Sequence, residues 1–435
     1  MFSKSEFSRR QKQLMQRIGK DAVAIVAAAP EQYRNRDADY PYRPDSDFYY
    51  LTGFIEPEAI AVFIPGRKEG QYVLFCREKN PQMETWTGRR IGVDAAPSTF
   101  AADQAFPIEK ADEMIPALLQ DREVVYSVFA NDADYDKRLM QWMVAVRQKA
   151  RAGVSAPRSL TTLDSVLHEM RLFKSPQEIK VMHQAAKIAA QGHCRAMQVC
   201  KPGMFEYEIE AELLHIFKQH GCHTAYNSIV GGGDNGCILH YVENNTTLKD
   251  GDLLLIDAGA ELNYYASDIT RTFPVNGRFS EEQRALYELV LKAQKAAIKQ
   301  VKPGSHWNKP HEEAVKVLTT GLVELGLLKG NVKKLIDDGA YNRFYMHRTG
   351  HWLGMDVHDV GEYRVNKKWR KLEPGMVLTV EPGLYIANGS KGIAKKWWGI
   401  GIRIEDDVLV TAKGCQVLSD QVPKEVDEIE KLMAG

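Results

Sequence analysis

The chain has 435 residues, enough for two or three domains of ordinary size. Its 44% hydrophobic and 26% charged residues are a globular composition, and 57 basic against 57 acidic residues leave no net charge. That balance argues against a dedicated nucleic-acid binder, and no apolar run approaches the roughly 20 residues that cross a bilayer.

The first residues lack the apolar core of a secretory signal, while Phe7, Leu14, Met15 and Ile18 are spaced as one face of a first helix. Short β-rich runs at 22–28, 59–64, 72–76 and 124–129 predict strands, and 111–120 and 135–149 predict helices. This is a mixed α/β pattern. The segment 151–159 is rich in small and breaking residues, and a domain boundary is expected there or just after, giving domains 1–165 and 166–435. Six cysteines (Cys76, Cys194, Cys200, Cys222, Cys237, Cys415) are scattered without paired spacing. They read as free thiols of a reducing compartment, so a cytoplasmic location is expected.

The second region opens at Ser175-Pro176-Gln177-Glu178, with an N-cap serine, a proline at the first helical position and a glutamate closing a capping box. The predicted helix runs to about Cys200 and stops at Lys201-Pro202-Gly203. A second start, Ser280-Glu281-Glu282-Gln283, leads to the same stop, Lys302-Pro303-Gly304. Another helical pattern follows each stop. Farther on, Leu248, Gly251, Leu254, Asp257 and Gly259 recur at equal spacing as Leu372, Gly375, Leu378, Glu381 and Gly383. Ser267-Asp268-Ile269 and Ile404-Glu405-Asp406 then occupy similar places, each read as the return strand of a hairpin. The region therefore reads as two related halves, each offering two carboxylates.

If the halves face each other, Asp257, Asp268, Glu381 and Glu405 converge. Four uncompensated negative charges would be strongly unfavourable. Two divalent cations neutralise them formally, and such a pair lowers the pKa of bound water from about 15.7 toward about 7. Three histidines, His347, His351 and His358, lie within twelve residues among glycines and aromatics, and His240 follows the glycine-rich stretch 231–236. Many carboxylates with one imidazole suit a hard ion such as Mn²⁺ better than a thiolate-type zinc site. Histidines outside the ligand set could hydrogen-bond an oxyanion or hold substrate.

The strings GHWLGMDVHDVG, LTVEPGLY, GIGIRIEDD and LLLIDAGAE, with YYASDITRTF, resemble the metallopeptidases of the pita-bread fold, and within them Xaa-Pro aminopeptidase. The N-terminal YPYRPDSDFYYLTGF is similar to that family's first domain, so the resemblance covers most of the chain. It implies an α/β N-terminal domain that shapes the cleft and mediates assembly, and an α+β pita-bread catalytic domain with an internal pseudo-twofold repeat. It implies release of an N-terminal residue when proline follows, with two divalent ions, manganese expected. Asp257 would bind one metal, His351 and Glu381 the other, and Asp268 and Glu405 both. Glu381 would shuttle the proton. His240 and His358 would contact the substrate and the tetrahedral intermediate, and His347 and Arg403 would border the proline subsite with Tyr385 nearby. Expected partners are peptides and a homodimeric or homotetrameric assembly, with neither nucleic acid nor membrane. Arg348, in HRTGH, is bulkier than the residue this family would carry there, which bears on the shape of the proline subsite.

Three other readings compete. A prolidase would use the same ligands on dipeptides. A non-catalytic pita-bread binding module or a metal-free amidinohydrolase would have replaced several of the ligands, all of which are present. For each carboxylate the bland reading is a surface ion pair, and for each histidine a structural role. Glycines 231–236 lack the lysine of a phosphate-binding loop and are expected to let backbone approach the site. His311-Glu312 lacks the second histidine of a zinc helix. The tandem Trp397-Trp398 is expected in the loop between the two carboxylate strands, walling the cleft or meeting another subunit.

Overall fold

Hydrophobic patterning concentrates most strands of the first unit in one sheet, apart from the exposed pair Tyr33–Asn35 and Ala38–Asp39. The computed structural model describes residues 2–435, and the chain divides into two units, one ending at Arg171 and the other Leu172–Gly435. The first unit holds a six-stranded mixed sheet in the order Gln104–Pro107, Tyr72–Cys76, Ile60–Phe63, Ala22–Ala27, Val124–Ser127, Ser159–Thr162. Three of its four inner strands, Tyr72–Cys76, Ile60–Phe63 and Ala22–Ala27, are continuous apolar runs, as a sheet covered on both faces requires. Ile115, Leu139, Trp142 and Val146, from helices Ala111–Leu118 and Ala133–Arg147, join their core. The two edge strands, Gln104–Pro107 and Ser159–Thr162, were not expected. They are short, largely half-buried and carry no apolar run. The breaker-rich 151–159 leads directly into the second of them.

The second unit is α+β and twofold in plan. Both capping boxes form, Ser175 with Glu178 and Ser280 with Gln283, and start helices Pro176–Val199 and Glu281–Ile298. Helices Glu206–Gln219 and Lys309–Glu324 follow the two Lys-Pro-Gly stops. In the first half, Leu253–Asp257 runs antiparallel between Ile229–Gly232 and Thr270–Pro274. In the second, Val377–Val380 runs antiparallel to Asp406–Thr411. Between outgoing and return strands each half inserts a further antiparallel pair, Ala260–Leu262 with Tyr265–Ala266, and Gly383–Ile386 with Ile400–Arg403. Asp268 and Glu405 consequently stand just ahead of the return strands rather than within them.

The halves share one core, in which Leu254 and Leu286 sit with Leu318 and Ile402. A Cβ on Gly401 would lie 2.1 Å from the carbonyl oxygen of Gly236, so glycine is needed where backbone of one half meets backbone of the other. This contact, rather than approach to the cleft, accounts for the end of the 231–236 stretch. Trp397 is buried in the same core and Trp398 packs against it, its indole N–H donating to the Ile393 carbonyl at 3.0 Å. All six cysteines are free. Among the described residues, no helix is long and apolar enough to cross a membrane.

Candidate metal centre and active site

Each half delivers its carboxylates at the ends of buried strands. Asp257 ends Leu253–Asp257, and Glu381 directly follows Val377–Val380. The apolar residues of these strands are anchored in the core, which fixes where the polar ends emerge. His347 and His351 come from the loop after Ala340–Arg343. A Cβ on Gly350, between them, would meet the Thr379 carbonyl oxygen at 2.0 Å, so glycine lets the loop lie against the second half's strand.

All nine side chains expected at the site line one cleft of about 1230 Å³: Asp257, Asp268, Glu381, Glu405, His240, His347, His351, His358 and Arg403. His351 Nε2 lies 3.3 Å from Asp268 Oδ2 and 3.6 Å from Glu381 Oε1. Its Nδ1 is 2.9 Å from the Trp352 carbonyl oxygen, and donation there turns Nε2 toward the carboxylates. One ligand atom each from Asp268, His351 and Glu405 lie within 4.8 Å of one another. Arg403 Nη2 reaches Asp257 Oδ2 at 2.6 Å, and its Nη1 donates to Tyr385 Oη at 3.0 Å. His347 Nε2 is 2.8 Å from the same phenol oxygen. The His358 ring lies 3.9 Å from that of His351, centre to centre.

Three further residues, not expected from the sequence, touch the cluster. The Tyr226 hydroxyl stands 2.5 Å from both Asp257 Oδ1 and Asp268 Oδ1. Thr270 donates to Glu405 Oε2 at 2.6 Å and accepts from Arg403 Nε at 3.1 Å. Thr379 contacts Glu381 Oε1 at 3.3 Å and accepts from the His351 N–H at 3.1 Å. Thr270 opens a return strand beside a carboxylate, a signal that was available. Tyr226 and Thr379 carry no such mark.

Burial dominates the electrostatics. It pushes Glu381 up to about 7 and raises Glu405 strongly, and it raises Asp268. Neighbouring carboxylates reinforce all three shifts, while His351 and other partners oppose some of the rise. Burial also opposes a charge on His351, but the Asp268 hydrogen bond and the charges of Glu381 and Asp268 lift it to about 9. His347 goes the other way, to about 3, because burial and then Arg403 disfavour its cation. His358 is lowered to about 4 by burial and by His351 and His240. These shifts mark the cost of ionising the four carboxylates together beside two cationic partners, Arg403 and His351, a cost that divalent cations would relieve. The cluster's oxygen donors and single central imidazole fit hard divalent cations.

The family comparisons agree with this geometry. Residues 180–412 match the model of metallopeptidase family M24, and residues 7–126 that of the aminopeptidase P N-terminal domain. The Xaa-Pro aminopeptidase of Escherichia coli is 46% identical over 435 residues, covering 100% of this chain and 98% of its own. Human Xaa-Pro aminopeptidase 3 is 34% identical, covering 97% and 83%. Among solved structures, Pseudomonas aeruginosa aminopeptidase PepP is 57% identical with a TM-score of 0.99, covering 100% of this chain and 98% of its own. A zinc-substituted E. coli aminopeptidase P in complex with product is 46% identical with a TM-score of 0.97, at the same coverage. Sequence, two-domain organisation and pita-bread fold agree, and the chain belongs to metallopeptidase family M24, in its aminopeptidase P branch.

Proposed function

We propose that this protein is an Xaa-Pro aminopeptidase that releases the N-terminal residue from peptides with proline in second place. One observation carries the reading: two carboxylates from each half, with His351, converge in a cleft whose lining includes His347 and Arg403, tied together through Tyr385. Asp257, Asp268, His351, Glu381 and Glu405 would hold two divalent ions, manganese being the expected metal. When bound, such ions supply Lewis acidity and a water of lowered pKa.

The remaining steps belong to the chain's own groups. The leaving nitrogen of an Xaa-Pro bond has no N–H, so it needs a proton before it departs. Glu381 takes that proton from the attacking water and returns it to the nitrogen. His358, with its pKa lowered to about 4, is neutral at ordinary pH and can donate to the oxyanion without a charge of its own. His240 contacts the bound peptide from the facing loop. His347 and Arg403, tied through Tyr385, border the proline ring.

In this reading the first domain, residues 1–165, shapes the cleft and mediates assembly, and the active form is a homodimer or homotetramer in the cytoplasm. The test is hydrolysis by metal-stripped protein with and without Mn²⁺. The substrates are an Xaa-Pro dipeptide, an Xaa-Pro tetrapeptide and its Xaa-Ala analogue. Mn²⁺-dependent cleavage of the Pro tetrapeptide, with the Ala analogue spared, supports the reading. Cleavage of the dipeptide alone makes the protein a prolidase. No cleavage by folded protein favours a binding module.

A further inference from the structure

One part of the cleft wall carries positive charge that this mechanism does not use. A hairpin pairs Arg364–Val365 with Lys368–Trp369 and turns through Asn366 and Lys367, both at positive φ (50° and 64°). That turn makes Arg364 and Trp369 direct cross-strand partners. The Arg364 guanidinium carbon lies 4.1 Å from the centre of the Trp369 ring. The Arg348 guanidinium carbon lies 5.5 Å from the same centre, and its Nη2 donates to Asn308 Oδ1. All three side chains line the cleft.

An indole attracts a cation over its face. Two cations on one indole also repel each other, and among the described residues neither guanidinium has a carboxylate within ion-pair distance. The carboxylates that line the cleft are Asp257, Asp268, Glu381 and Glu405, the four of the cluster. The missing counter-charge would come with the substrate. Guanidinium forks match a carboxylate in two parallel hydrogen bonds.

We propose that Arg348, Trp369 and Arg364 form a carboxylate-binding subsite for the leaving side of the peptide. This rests on the Xaa-Pro aminopeptidase reading of the cleft. The substrate's free α-ammonium is repelled by this wall and drawn to the carboxylate cluster, which puts the amino end elsewhere. Arg348 also directly follows His347, the expected border of the proline subsite. The carboxylate is either an acidic side chain downstream of proline or the C-terminus of a short peptide. A contact this remote from the breaking bond is made equally before and during the reaction, so it acts mainly on KM.

The experiment compares C-amidated Xaa-Pro-Ala-Ala, Xaa-Pro-Glu-Ala and Xaa-Pro-Lys-Ala with the free-acid Xaa-Pro-Ala-Ala, using Mn²⁺-loaded full-length protein at low and high salt. The expected result is kcat/KM about threefold to tenfold higher for the Glu peptide than for its amidated Ala analogue, carried by KM and reduced by salt. An advantage confined to the free-acid peptide assigns the subsite to the chain terminus instead. In Arg348→Ala/Arg364→Ala the Glu-to-Ala ratio falls to about one. Arg364→Glu, at an exposed hairpin position, shifts preference toward the Lys peptide. Equal kcat/KM for all four peptides in the unmodified protein overturns the subsite alone. Failure to cleave even the amidated Ala peptide overturns the activity, and the subsite with it.

Discussion

Arg403 and Asp257 are paired at 2.6 Å in the wall of the cleft, the arginine almost wholly buried. Burial works against its charge, yet Tyr385, Asp257 and Glu381 hold the guanidinium firmly protonated. Removing one member of such a pair leaves the other charge uncompensated, which typically costs about 3–5 kcal/mol. Arg403→Met should therefore lower Tm clearly and reduce kcat/KM by roughly 10²-fold or more, the scale of a lost preorganised donor. Arg403→Lys should recover part of the stability but little of the activity, since it cannot reach Tyr385, Thr270 and Asp257 together. Wild-type turnover in Arg403→Met would remove the residue from the mechanism.

Tyr226 touches two carboxylates through one hydroxyl, so Tyr226→Phe tests whether their orientation matters. Loss of an outer partner of this kind costs about 10–100-fold in metal affinity or activity. Stability should change little, by about 1 kcal/mol. Mn²⁺ titration followed by activity and by thermal shift measures both. An unchanged titration would mean that the carboxylates hold their positions without it.

Glu206 is fully buried and accepts from four groups of one loop: Gly232 N–H at 2.8 Å, Asn235 Nδ2 at 3.0 Å, Tyr241 Oη at 2.7 Å and Thr246 N–H at 2.8 Å. That loop carries His240. Glu206→Gln turns an acceptor-only group into one that faces donors with a donor of its own. A fall in kcat of about tenfold is expected, the lower end for misplacing a positioned group. The fall should largely vanish in a His240→Ala background, because neighbours acting through one another are not additive. Strictly additive losses would sink the idea.

The first unit contains a separate charge cluster whose pH response can be read on its own. Arg171 Nη1 is 2.8 Å from Asp47 Oδ1, and His168 Nε2 is 3.6 Å from Asp47 Oδ2. Burial opposes ionisation of Asp47, but Arg171 and His168 override it and hold the carboxyl below its usual 3.8. Its contribution is complete above 3.8 and is lost as pH falls through the lowered value. Burial likewise opposes the His168 cation, and Asp47 overrides it, raising the pKa above 6.5. That contribution is complete below 6.5 and fades as pH rises through the raised value. Asp47→Asn should therefore narrow its stability deficit at both ends of the range, as seen in thermal melts across pH. A deficit independent of pH would assign the loss to packing.

Sequence reading succeeded where structure is set locally or by repetition. The two serine capping boxes and the Lys-Pro-Gly stops bound their helices because caps and breakers act within a few residues. Asp257 and Glu381 were legible because two halves state the same spacing twice. The inserted strand pairs before Asp268 and Glu405 were not, since they are short and lack an apolar period of their own. Tyr226, Thr379 and Glu206 were invisible for another reason. Each acts on groups distant in the chain, and a lone polar residue does not announce its partner. Edge strands Gln104–Pro107 and Ser159–Thr162 escaped because they are largely half-buried, with neither an apolar run nor a buried–exposed alternation.

The close approach of Gly236 and Gly401 joins two halves that each bring only part of the ligand set. Neither half alone could chelate an ion with the five side chains. Whatever cation they bind rewards the docked arrangement and nothing else, so its binding free energy is added to the cohesion between the halves. Chelation should then do more than silence the enzyme. It should loosen the seam between the halves, expose Val230, Leu255 and Ile402 to proteases, and make clipping within this unit a readout of metal supply.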